Sequence, residues 1–426
     1  MSTQELPYEQ RNYAGFLWHA LLLAVTVTFT EINTILPAMI IRIGGSEFHI
    51  GIMTGIMVGV PLVSQLLFAG FLHSRPFKKP FLLAGINLRL AALALIAFTL
   101  LNIARFSLAA GIIIIYLELL LFTVSGAFAG ISYVDIMGKS FTGDFRKKFF
   151  VRKQLIATIG ILISAVIARE ILKRVDYPDN YFILFISASA VLLLASGGFW
   201  ILREKPAVAA PGTDSSPYQH RERIGKTLRS IPERLKTDSN LRNYIIISNL
   251  LGFSIVLLPF YVTLAKIRYE LDPEVVGNLL LIQIAGMVVS NFVWSHLVKK
   301  RGFKGILYVF AVTAALLPAA ALLVSGYLPI EIYYPVFAVS GMVLSAQKLT
   351  SDAVVVEITT DENRALYTGI IGTFNLSRAL FPIIIGSILG FTGYTPIFAA
   401  IGLLAVISTL FIGKLNCPID RISSDE

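Results

Sequence analysis

Charge is scarce in this sequence. Of 426 residues only 15% are Asp, Glu, Lys or Arg, against 56% hydrophobic, whereas an ordinary soluble domain carries about 25% charged residues. That shortfall, with a mean hydropathy of +0.75, places the chain in the membrane class. Cysteine is nearly missing: the single residue, Cys417, excludes an intramolecular disulfide and a cysteine-based metal cluster. Five histidines, His19, His49, His73, His220 and His296, are scattered over spans and loops. No His/Asp/Glu set has metal-ligand spacing and no G-x-x-x-x-G-K-S/T phosphate loop is present, so no cofactor, no integral-membrane enzyme and no direct ATP coupling are expected.

What the chain does have is long apolar runs. A spanning helix needs about 20 mostly apolar residues to cross roughly 30 Å of hydrocarbon. Twelve segments qualify, near residues 14–41, 50–72, 80–102, 110–135, 152–172, 181–202, 243–266, 274–297, 304–326, 332–356, 365–390 and 395–414. They are numbered spans 1 to 12 below. The expected fold is an all-α integral membrane protein.

Lys and Arg accumulate in cytoplasmic loops. With both termini inside, 26 of the 36 basic residues fall on the cytoplasmic side, 7 outside and 3 within spans. This predicts a multi-pass protein of the cell (cytoplasmic or inner) membrane. It also accounts for the net charge of +10 through positive-inside bias and anionic headgroups, so no nucleic-acid partner is expected. The first residues, "MSTQELPYEQRNY", do not resemble a cleavable signal peptide, and span 1 is expected to remain in the mature protein.

The spans fall into six plus six: 1–202 as one bundle, 203–242 as a cytoplasmic linker and 243–426 as the other bundle. The linker begins with Pro, Ala, Gly and Ser. Its second part spaces Ile224, Leu228, Ile231 and Leu235 as one apolar stripe, suited to a helix lying on the inner membrane surface. Each half also repeats a pattern. "SEFHIG" (46–51) and "DPEVVG" (272–277) open spans 2 and 8 with an N-cap candidate, Ser46 or Asp272, and Pro273 suits a first helical turn. Basic turns follow, "GFLHSRPFKK" (70–79) and "SHLVKKRGFK" (295–304).

These turns resemble the signature of the major facilitator superfamily, G-x-x-x-D-R-x-G-R/K-R/K, between helices 2 and 3. Gly70, Arg75, Lys78 and Lys79 match, while Ser74 stands at the Asp position and Phe77 at the second Gly. The second copy keeps Leu297, Gly302 and Lys304, with Trp294 ahead of it and with Lys299 and Lys300 at the Asp and Arg positions. "GDFRKKFFVRKQ" (143–154) and "TDENRALYTG" (360–369) are similar to the Arg-containing turns after helices 4 and 10 of that superfamily. The resemblance implies two six-helix bundles that rock about a site held between them, with helices 1, 4, 7 and 10 lining the cavity. It also implies an inner gate latched by the loop acid and Arg; with Ser74 and Lys299 at the acid positions, that latch departs from the pattern. Span 5, "LIATIGILISAVIA", lacks the G-P-x-x-x-G of proton-coupled drug antiporters.

Ionisable groups inside spans cost about 2.5–3.5 kcal/mol on insertion scales and face a cavity or a partner. On a continuous span 1, Glu31 shares about 160° of arc with Thr26, Thr30, Asn33 and Thr34, as a proton or substrate carrier or as a protonated acid bonded to a neighbouring helix. Glu118 lies in the outer half of span 4, with Ser125 and Ser132 on its stripe and Asp135 at the inner end; Glu118 is a carrier or a tethered carboxylate near the interface. In span 10, Lys348 and Asp352 are spaced to pair on one face, as a self-neutralising pair or as direct substrate contacts, near the inner gate. Arg378 lies about 20 Å in from the inner end of span 11, beside Asn375. It cannot discharge itself and needs an anion from Glu31, Glu118 or the substrate. Arg89, midway along span 3, is expected to pack or snorkel. Arg75, Arg152 and Lys153 lie at the inner surface, where Asp135 could close a gate pair.

The expected function is a secondary active transporter that moves a small organic solute by alternating access, coupled to protons. Its expected partners are the solute, protons and membrane lipids, in a monomer. The rival is a facilitator-like protein that does not pump and serves as a lipid translocator, a cofactor-delivery protein or a receptor.

Overall fold

The computed structural model describes residues 5–73, 75–141, 143–205, 231–269, 271–359 and 364–416. Over an apolar span every backbone N–H and C=O must find its partner inside the segment, and the chain answers with helices. They are α1 (Glu5–Phe29), α2 (Ile35–Ile43), α3 (Glu47–His73), α4 (Lys79–Leu101), α5 (Leu108–Ser140), α6 (Gly143–Arg174) and α7 (Asp179–Trp200). A short α8 covers 231–237. Then come α9 (Ser239–Val256), α10 (Leu258–Arg268), α11 (Pro273–Tyr327), α12 (Ile330–Ile358), α13 (Arg364–Asn375), α14 (Ser377–Thr392) and α15 (Tyr394–Gly413).

Ten helical stretches among the described residues are long and apolar enough to cross a membrane. One of them, α11, is two helices joined at Gly302, whose φ of 61° is left-handed backbone that glycine adopts without strain. The more polar α12 makes the twelfth. The fold is all-α, with the twelve spans the hydropathy marked. Large apolar side chains such as Phe391, Phe292 and Leu67 stand exposed, as surfaces facing lipid do. The amphipathic linker stripe is described only at Ile231 and Leu235; Ile224 and Leu228, like Cys417 and Ser74, lie outside the described residues.

The chain divides into two compact units, Met1–His49 with Ile56–Thr213 and Leu271–Leu281, and Ile50–Gly55 with Asp214–Glu270 and Ile282–Glu426. In the first, α1 packs against α6 and α7, and α4 against α5 and α7. In the second, α9 packs against α14 and α15. The two are built alike at the level of single hydrogen bonds. Lys79 reaches the carbonyls of Trp200 (2.9 Å) and Leu202 (2.7 Å) at the end of α7. Lys304 reaches those of Gly413 (3.1 Å) and Leu415 (2.9 Å) at the end of α15. A cation at a helix C-terminus satisfies carbonyls left without N–H partners and complements the helix dipole.

Span 1 is not the continuous helix assumed for its polar arc. It breaks between Phe29 and Ile35, and the matching span 7 steps at Leu257, between α9 and α10. In span 7 Pro259, in the first turn of α10, needs no amide partner. In span 1 the amides of Asn33 and Thr34, inside the break, need an acceptor, and the Glu31 carboxylate supplies it.

Candidate functional site

The helix break in span 11 places Asn375 at the end of α13 and Arg378 on the first turn of α14. The Arg378 guanidinium turns toward α9. Its Nη2 donates to the backbone carbonyl of Ser248 and, at 2.7 Å, to the Ser248 hydroxyl. Ser248 Oγ in turn lies 3.2 Å from Asn375 Oδ1, and Ser377 Oγ is 2.6 Å from Asn249 Oδ1. Gly252, one turn along α9 from Ser248, opens the slot: a Cβ there would overlap the guanidinium. Arg378 Nε is buried without a hydrogen-bond partner. Among the described residues no carboxylate oxygen lies within 4.0 Å of Arg378. The guanidinium, Asn375, Ser248, Gln347, Thr350 and Tyr244 line a cavity of about 60 Å³ with apolar neighbours that include Ile247 and Phe310, room for several waters or part of a small ligand.

The first unit closes the corresponding crossing without a charge. Gly160 of α6 sits against Ala24 and Leu21 of α1, where a Cβ would come within 2.9 Å of Ala24 Cβ and 3.0 Å of the Leu21 carbonyl. Ala24 and Gly252 hold the same register in their repeats, each 12 residues after the asparagine, Asn12 or Asn240, that bonds the chain beyond the unit's last helix. At one crossing a glycine fills the place by packing. At the other an arginine fills it, and the glycine has moved to the opposite helix.

Glu31 sits in the break of span 1. Its carboxylate accepts from Asn33 N (2.7 Å), Asn33 Nδ2 (2.7 Å), Thr34 N (2.7 Å) and Thr34 Oγ1 (2.8 Å). These bonds close the turn of Asn33 and Thr34 that leads into α2, and none of them comes from an amide of α2 itself. Glu31 and Asn33 are therefore brought together, through a local turn rather than a shared helical face.

Glu118 is buried on α5 and faces α4. Its Oε1 accepts from Thr99 Oγ1 at 2.7 Å, while Oε2 is buried with no partner. Arg89 packs as expected: its guanidinium lies 4.2 Å from the centre of the Phe122 ring, a cation–π contact, and Gly126 leaves it room.

At the end of the first unit where α4 begins, Asp135 is bonded by Lys78 Nζ at 2.7 Å and by Lys139. Glu204 accepts from the backbone amides of Lys78 (2.7 Å) and Lys79 (2.8 Å) and so caps α4. Arg75 instead lies over Phe71, 4.8 Å from its ring centre, and Arg152 Nη1 donates to the Tyr13 hydroxyl at 2.9 Å. Asp135 thus finds lysines, whereas the two arginines rest on aromatic side chains. Lys348 is exposed on α12; the side chain of Asp352 lies outside the described residues, and so does the expected Lys348–Asp352 pair. Sequence reasoning missed Thr99, Lys139, Glu204, Ser248 and Gly252. Only Lys139 carried a signal, its i, i+4 spacing from Asp135.

Comparison with known proteins covers the whole chain. The sequence model of the Major Facilitator Superfamily matches residues 17–347 and 246–417. No curated protein matches by sequence. Among solved structures, the chain is similar to a POT family transporter in complex with 5-aminolevulinic acid, at 12% identity, with 97% of this chain and 96% of that one covered and a TM-score of 0.68. It is similar to a variant of the nucleoside transporter NupG, at 13% identity, 96% and 99% covered, TM-score 0.64. The xylose transporter XylE from E. coli, in an inward-open conformation, matches at 14% identity, 95% and 94% covered, TM-score 0.63. At these identities the likeness is one of fold.

Proposed function

The chain belongs to the major facilitator superfamily and has the fold of its transporters; from that premise we propose that it moves a small organic solute across the cell membrane by alternating access, coupled to protons. The observation that carries this reading is the Arg378 site: a cation inside a span, lining a cavity of mixed polar and apolar walls and left without a carboxylate partner among the described residues. An ionisable group retained at membrane depth marks a solute or ion path. Arg378 and Asn375 form the solute side of the mechanism. Glu118 and Glu31 are the candidate proton carriers, and their bonding favours Glu118, because the Glu31 carboxylate is taken up by four bonds that hold the turn in span 1. Asp135 with Lys78, together with Arg75, Arg152, Lys348 and Asp352, belongs to the inner gate. Both termini lie in the cytoplasm, the two six-span bundles are 1–202 and 243–426, and the protein works as a monomer among membrane lipids.

Solute counterflow in proteoliposomes tests the proposal. Counterflow of any solute from a panel of organic acids, amines, sugars and nucleosides supports it. Absence of counterflow across the panel, with protein correctly inserted, favours the non-pumping reading suggested by the missing loop acids at Ser74 and Lys299.

A further inference from the structure

We propose that the Arg378 cavity is a carboxylate site and that the solute is a small organic carboxylate with a short apolar body; this rests on the transporter reading and names its substrate class. Three observations converge on it. First, hydrogen-bond accounting around the cavity leaves donors and no anionic acceptor. Arg378 spends Nη2 on Ser248 and packs Nε against Gly252, and among the described residues no carboxylate neutralises its charge. The single Ser248 hydroxyl proton goes to Asn375 Oδ1, which turns the Asn375 carbonyl away from ligand duty and leaves its amide N–H groups to donate. Among the described residues no Asp or Glu lines the cavity. A planar guanidinium beside a side-chain amide matches the two oxygens of a carboxylate.

Second, the cation is a departure from the repeat. Where Gly160 closes the equivalent crossing on Ala24, the second unit admits a guanidinium and clears its path with Gly252. A purely structural crossing would be served by the small residue, as the first unit demonstrates, so the arginine answers a need that packing does not create.

Third, the remainder of the lining is mixed. Ile247, Leu251 and Phe310 stand beside the polar residues, so the wall beyond the charged end accepts an apolar body. An inorganic anion would use the donors and leave that wall wet.

The test uses the full chain in nanodiscs of uncharged phosphatidylcholine, which removes anionic headgroups as a competing source of anion. Thermal shift is measured with butyrate, benzoate and succinate, with their amides, and with chloride and phosphate. The expected result is saturable stabilisation by at least one organic carboxylate and none by its amide, with apparent affinity at least tenfold weaker in Arg378→Gln and partly retained in Arg378→Lys. Because Arg378→Gln could fail to fold, the wild-type protein is also treated with phenylglyoxal, and modification at Arg378 is read by peptide mass; the binding carboxylate should protect it. The proposal is overturned if carboxylates and amides behave alike, if Arg378→Gln binds as tightly as wild type, or if chloride or phosphate alone saturates the site. Carboxylate binding without counterflow would keep the site and remove the transporter reading. Counterflow of a neutral solute with no carboxylate binding would do the reverse.

Discussion

Asn12 and Asn240 make the same pair of hydrogen bonds, each in its own unit. Asn12 Nδ2 donates to the Arg203 carbonyl and Asn12 Oδ1 accepts from Arg203 N, both at 2.9 Å. Asn240 does the same with the carbonyl and amide of Asn416, both at 3.0 Å. In each case the amide near the start of the first helix grips the backbone just past the end of the last. With Lys79 and Lys304 bonding the neighbouring carbonyls, each unit is closed on itself where its last helix ends by one asparagine and one lysine.

The two clamps differ in burial, since Asn12 is fully buried and Asn240 is partly exposed. Asn12→Ala leaves the partly buried N–H and C=O of Arg203 and the buried Ser140 hydroxyl without this partner and should lower stability by about 1–3 kcal/mol, whereas Asn240→Ala, where water can substitute, should cost about 0.5–1 kcal/mol. Tryptophan-fluorescence melting of both variants in the same detergent checks this; an equal or larger loss for Asn240→Ala contradicts it.

Glu31 and Glu118 should separate when each is neutralised. Glu118→Gln removes an acid that has a buried oxygen with no partner, and the pH dependence of uptake should flatten across pH 5–8 while the protein remains folded. Glu31→Ala removes the acceptor of the Asn33 and Thr34 amides in the span 1 turn and should cost about 1–3 kcal/mol of stability, yet the remaining active protein should keep its pH profile. Uptake against an imposed pH gradient, alongside melting curves, reads both effects. A flat profile in Glu31→Ala with normal melting would exchange the two roles.

This split was only half legible in the sequence. The charge of Glu31 in an apolar run was plain, but its role depends on whether span 1 is continuous. The hint of a break was local: Asn33 and Thr34 followed by Pro37, which stands in the first turn of α2, a start signal inside what hydropathy reads as one span. The twelve spans were legible because hydrocarbon imposes length and composition on each. Lys79 and Lys304 were visible as members of basic loops, although their bonds to helix-end carbonyls were not. Arg378 declared itself by cost. Ser248 and Gly252 did not, because a neutral serine and glycine become part of a site only through the register at which two helices cross.

Gly252 gives a paired test of that crossing. Gly252→Ala places a methyl group where the Arg378 guanidinium now lies and should raise the solute KM at least tenfold by moving the cation. Gly160→Ala, at the equivalent crossing of the first unit, meets Ala24 and Leu21 and should lower melting temperature through overpacking, about 1–3 kcal/mol, with KM unchanged. Uptake kinetics of the two variants distinguish a positioning role for Gly252 from a packing role common to both glycines.

Asp135 holds two lysines, and its removal tests whether the inner network is more than surface charge. Lys78 is buried, at 8% side-chain exposure, while Asp135 is 28% exposed, so the pair is neither solvated nor fully dry. Asp135→Ala leaves the Lys78 ammonium without its carboxylate in a site that water reaches poorly, and a loss of about 1–3 kcal/mol is expected. Lys78→Met alone frees Asp135 to keep Lys139 and should cost less. If the attraction between the two is what matters, the double variant should be more stable than the sum of the single losses predicts, by a coupling of about 0.5–3 kcal/mol for residues in direct contact. Melting of the four proteins at low and high salt gives the coupling directly. Strict additivity at both salt concentrations would mean that positive-inside bias alone placed Lys78 there. A coupling that survives salt would show that the Asp135–Lys78 contact itself stabilises the fold beside the start of α4, which Glu204 caps and where the facilitator signature lacks its own acid.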